Sequence, residues 1–123
     1  MKKLILFTLF LGLAGCNLLG EDKEEQVYDI RIEILSAEGT HYINAVDYTT
    51  NSGTENLNDI VTPWVYTYRT DGSIDPSVEA FISYGDNATA ENPLICRIYV
   101  DGEIQAEDRL TGGGSCLARY EFR

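Results

Sequence analysis

Histidine occurs once in the chain, at His41, tryptophan once, at Trp64, and proline three times. No serine or cysteine motif accompanies His41, so nucleophile, base and orienting group are never found together and no enzyme constellation is expected. His41 reads as a surface or half-buried side chain on a strand-like run. Basic residues are scarce too: nine Lys and Arg face 20 Asp and Glu, a formal charge of −11. A chain this acidic is repelled by nucleic acid and by anionic membrane surfaces, which excludes a basic-patch binder. No segment has a helical apolar period, and no apolar run reaches the roughly 20 residues of a spanning helix. Cofactor and metal motifs are missing as well. Gly112-Gly113-Gly114 lacks the lysine and following helix of a phosphate loop. Asp71-Gly72-Ser73-Ile74-Asp75 misplaces the glycine of a calcium loop and has Ile82 where the bidentate glutamate belongs, so it reads as a turn. Cys96 and Cys116 with the lone His41 offer no metal-ligand spacing.

What is present begins at the amino terminus. Lys2 and Lys3 precede the apolar block Leu4 to Leu13, and Leu13-Ala14-Gly15-Cys16 follows. This is the layout of a secretory signal peptide over residues 1–15. Leu-Ala-Gly-Cys also resembles the bacterial lipobox, which implies diacylglyceryl attachment to the Cys16 sulfur, cleavage before it and acylation of the new amino terminus. Two or more acyl chains hold a protein stably on a bilayer, each buried methylene contributing about 0.8 kcal/mol. Asn17 in place of aspartate resembles the sorting pattern of Gram-negative lipoproteins bound for the outer membrane. Without Lys2 and Lys3, seven basic residues face 20 acidic ones, a formal charge of −13. Residues 16–26, with Glu21-Asp22-Lys23-Glu24-Glu25, read as a solvated tether. An acidic stretch there also resembles the surface-export signal of some Bacteroidetes lipoproteins.

Residues 27–123 are the expected domain. Ile30, Ile32 and Ile34 alternate with Asp29, Arg31 and Glu33, the period of a strand with one face buried and one wet. Similar runs follow at Tyr42 to Tyr48, Leu57 to Val61, Trp64 to Tyr68, Val78 to Tyr84, Leu94 to Val100, Glu103 to Ala106 and Cys116 to Phe122. Turn residues separate them, and Asp101-Gly102 is the clearest hairpin signal, because both residues tolerate positive φ. The pattern predicts an all-β fold, an immunoglobulin-like antiparallel β-sandwich of about seven strands. Export leads to an oxidising compartment, so Cys96 and Cys116 are expected to form a disulfide, both sulfurs lying on core-facing sides of their strands.

Aromatics are plentiful: eight tyrosines, four phenylalanines and one tryptophan. Trp64, Tyr66 and Tyr68 share one parity and form a single stripe. Facing inward it belongs to the core; facing outward it would be a partner surface or a sugar-stacking site.

Several stretches together resemble the MmpS family of transport accessory proteins: Val46-Asp47-Tyr48-Thr49 before a glycine-containing turn, Thr62-Pro63-Trp64, Ile95-Cys96-Arg97-Ile98-Tyr99-Val100-Asp101-Gly102, and Thr111-Gly112 ahead of the closing strand. The likeness runs from His41 to Phe122. It implies a periplasm-facing immunoglobulin-like sandwich working beside MmpL-type transporters of the resistance-nodulation-division class. Family members carry a transmembrane helix where this chain has a lipobox, and the family transfers no catalytic residue. The function expected is a non-enzymatic envelope lipoprotein that binds a protein partner, with transport accessory as its specific form. The alternative is a surface-displayed adhesin or glycan-binding module.

Overall fold

The computed structural model describes residues 26–83 and 88–122. The signal peptide, Cys16 and the charged run up to residue 25 lie outside the described residues, as do Tyr84 and the Gly85-Asp86-Asn87 turn. The described chain is an all-β sandwich of eight strands, where about seven were expected: β1 (Tyr28–Ser36), β2 (Tyr42–Thr50), β3 (Gly53–Val61), β4 (Trp64–Thr70), β5 (Ser77–Ile82), β6 (Leu94–Val100), β7 (Glu103–Leu110) and β8 (Gly114–Arg119). They form two four-stranded antiparallel sheets in the orders β4-β1-β6-β7 and β3-β2-β5-β8.

Apolar alternation places the core. Ile30, Ile32 and Ile34 of β1, Val46 of β2, Val78 and Ala80 of β5, and Leu94, Cys96 and Ile98 of β6 are buried between the sheets. Burying such a side chain contributes about 1.5–3 kcal/mol, which the isolated hairpins could not gather. Strand bounds differ from the sequence reading where apolar alternation fades. β3 begins at Gly53 rather than Leu57, and β7 continues to Leu110 rather than ending at Ala106. Both are edge strands, so Thr54-Glu55-Asn56 and Glu107-Asp108-Arg109 need only main-chain pairing with β2 and β6. The last strand ends at Arg119; Phe122 lies beyond it and packs on Tyr28, ring centroids 4.6 Å apart.

The Asp101-Gly102 turn has φ of 52° and 87° at its two residues, the double positive φ that a tight hairpin requires. Asp101 also pins the turn to β1: its main-chain N–H donates to the Asp29 carbonyl, and its carboxylate accepts from the Asp29 N–H, both at 2.8 Å. One end of the β4-β1-β6 face is thereby held rigid.

Candidate functional site on an outward sheet face

Trp64, Tyr66 and Tyr68 stand in register with Ile34, Ile32 and Ile30 and so point between the sheets. They are half-buried against the core. Tyr48 of β2 meets Trp64 edge-on at 5.0 Å and Tyr66 at 4.9 Å, so the stripe seals the flank of the sandwich where β4 forms an edge. The partner surface considered for Trp64, Tyr66 and Tyr68 is therefore a core lid. Burial pushes the Tyr68 phenol above its usual pKa of 10.0, partly offset by its hydrogen bond with Thr49.

The intervening residues of the same strands face out, and their register builds three rows. Val65, Glu33, Arg97 and Glu107 lie side by side across the sheet; Thr67, Arg31, Tyr99 and Ile104 form the second row, and Arg69 with Asp29 the third. Arg109 joins them beside Ile95. Four of the five arginines among the described residues thus share one outward face of an acidic protein.

These groups are connected. The Arg31 guanidinium pairs with Glu33 and lies over the Tyr99 ring, 4.9 Å from its centroid. Arg97 Nε donates to Glu107 at 2.7 Å, and this bond, assisted by Tyr99, raises the pKa of the guanidinium further above its usual range. Arg69 Nε donates to Asp29 Oδ1 at 2.9 Å. Glu33 is unusual, being 5% exposed although it lies on the outward side, with Oε1 unpartnered. A carboxylate so buried is held against a desolvation penalty, and what it secures is the position of Arg31. Val65 and Ile104 remain exposed at the flanks. Arginine and tyrosine within a rim of mixed polarity is the composition of a binding surface.

At the Asp101-Gly102 end the face sinks into a groove of 530 Å³ lined by Asp29, Arg31, Thr67, Arg69, Tyr99 and Gly102, among others. The groove offers hydrogen-bond donors, acceptors and an aromatic ring, with no nucleophile beside a base. Among the described residues no group of three or more His, Cys, Asp or Glu is placed to hold a metal ion.

Cys96 and Cys116 meet across the two sheets and are fully buried. The expected bond between them is absent from this structure, which holds two neighbouring thiols. Each is turned onto main-chain carbonyls: Cys96 Sγ onto Cys116 at 3.4 Å, and Cys116 Sγ onto Asp108 at 3.3 Å. The Cys116 side chain, hydrogen-bonded to Cys96, and then burial drive the Cys96 thiol pKa far above its usual value. His41 is more buried than expected, at 8% exposure. Its ring nitrogen meets the Asn92 carbonyl at 2.9 Å and its main-chain N–H donates to Thr62 Oγ1, so it ties loops together.

Comparison with protein-family models and with curated proteins finds no match for this chain. The residues of the MmpS-like stretches fall on β2, on the cis Thr62-Pro63 link into β4, on β6 with its hairpin, and on the β7–β8 loop. Sequence reasoning marked Arg31 and its neighbours only as a wet face. The missed signal is that Arg97 and Tyr99 alternate with Cys96 and Ile98, which puts them on the outward side of β6.

Proposed function

We propose that this protein is a non-enzymatic envelope lipoprotein, anchored in the outer membrane through acyl chains on Cys16. Its sandwich, of immunoglobulin-like kind, binds a protein partner through the outward β4-β1-β6-β7 face. The MmpS-like stretches favour an accessory role beside an export transporter of the resistance-nodulation-division class. The observation that carries the reading is the linked set Glu33, Arg31, Tyr99, Arg97 and Glu107, flanked by exposed Val65 and Ile104. Arginine and tyrosine held in place before contact lose little freedom on binding. In-cell crosslinking followed by capture of the chain tests it: an envelope transporter or its periplasmic partner is expected with the native chain and is lost with Ile104→Asp. Capture of no envelope protein, or equal capture by Ile104→Asp, overturns it.

We also propose that a disulfide-bearing oxidant of the exported compartment takes two electrons and two protons from the Cys96 and Cys116 thiols by thiol–disulfide exchange, bonding the two sulfurs and leaving the oxidant as a dithiol, before the sheets close. Exchange needs a thiolate, and the folded core withholds it. Alkylation of unreduced, denatured protein followed by mass measurement reads the result: the bonded pair takes up no reagent, and two added groups refute the bond.

A further inference from the structure

The groove at the Asp101-Gly102 end is selective by charge. Each guanidinium in it is already paired with a carboxylate, Arg31 with Glu33 and Arg69 with Asp29, so neither a cation nor an anion meets an uncompensated charge there. The complementary ligand is a neutral group that donates and accepts hydrogen bonds side by side, which is the chemistry of neighbouring hydroxyls on a sugar ring. We propose that this groove is a binding site for a neutral sugar unit of a glycan chain.

The donors and acceptors are set before the ligand arrives. Arg69 spends Nε on Asp29 and keeps both terminal nitrogens, and its side chain is 74% exposed. Arg31 spends one terminal nitrogen on Glu33 and keeps its other donors. Asp29 spends Oδ1 on Arg69, which leaves Oδ2 to accept. Thr67, in register with Arg31, adds a hydroxyl that does both. The apolar side of a sugar ring needs a carbon surface, and the Tyr99 ring supplies it. Gly102 keeps the rim open: no atom lies within 4 Å of where its Cβ would be, and φ of +87° disfavours any side chain there. A volume of 530 Å³ falls within the range of about 300–1,000 Å³ typical of small-ligand sites.

The groove lies at one end of the outward face and shares Arg31 and Tyr99 with the set proposed to meet a protein partner, while Arg97, Glu107 and Ile104 lie outside its lining. Full-length protein in a zwitterionic detergent, titrated with neutral hexasaccharides of glucose, mannose and N-acetylglucosamine and with hexagalacturonate, tests the proposal by calorimetry and backbone-amide NMR. At least one neutral sugar is expected to bind at millimolar concentration or below, shifting the amides of Arg31, Thr67, Arg69 and Gly102. Arg69→Ala and Thr67→Ala are each expected to weaken it about tenfold, the loss of a hydrogen bond to a fixed group. Ile104→Asp, outside the groove lining, is expected to lose partner capture and keep sugar binding, so the two readings fail separately. Binding of none of the neutral sugars, shifts confined to other residues, undiminished binding by Arg69→Ala, or tighter binding of hexagalacturonate overturns the proposal.

Discussion

Even and odd positions of β4 have opposite fates. Trp64, Tyr66 and Tyr68 go inward and close the flank of the core, whereas Val65, Thr67 and Arg69 go outward and help build the candidate site. The inner row is held by packing that any sandwich of this shape needs. In the outer row Arg69 is held by an exposed ion pair with Asp29 that the fold does not need, since exposed ion pairs contribute only about 0–1 kcal/mol. The aromatic residues that stood out in the sequence thus pack against the core, and those that looked merely wet line the candidate site.

Substitutions on the two faces should separate these roles. The largest effect is expected from Ile32→Ala, at the fully buried centre of β1: about 3–4 kcal/mol of stability, read by urea unfolding, with partner capture retained below the unfolding midpoint. Tyr66→Ala should cost about 2 kcal/mol, less because the ring is only half-buried; no loss would place the stripe outside the core. Gly72→Ala should cost about 1–2 kcal/mol, since φ is +89° and the new Cβ would stand 3.1 Å from the Tyr28 ring; a Tm unchanged by calorimetry would show that Tyr28 gives way.

The contrast can also be read with pH. Burial raises the Tyr48 and Tyr68 phenols above 10.0, so the unfolded chain ionises them first. Their contribution is complete below pH 10.0 and is lost as pH rises through the higher folded values. The urea midpoint should fall in that window, and Tyr68→Phe should flatten the decline. The smallest stability effect belongs to Arg69→Ala, within about 0.5 kcal/mol, although the same change is expected to weaken sugar binding about tenfold. A large loss there would mean that the outer row supports the fold.

Much of the architecture was legible. Strict alternation at Ile30, Ile32 and Ile34 and at Leu94, Cys96 and Ile98 located two central strands, and Asp101-Gly102 located the β6–β7 hairpin, because burial on one face and positive φ are local demands. The extent of β3 and β7 was not legible, since edge strands pair through main chain and carry polar side chains on positions that a central strand would bury. The site was half legible: Asp29, Arg31 and Glu33 were visibly on a wet face, but neither the burial of Glu33 nor the stacking of Arg31 on Tyr99, 68 positions away, has a local signature.

By itself the sequence determined the class of fold and which side chains of each strand face together, because the two-residue period is a property of the extended chain. It also determined the net charge and the scarcity of catalytic groups. Only the tertiary structure decided which strands became neighbours, and with that the inward turn of the aromatic stripe, the meeting of Cys96 with Cys116 across the sheets and the gathering of four arginines on one face. Those outcomes depend on pairing between β1, β4 and β6, strands far apart in the chain, whose register is set by the shared core rather than by any one segment.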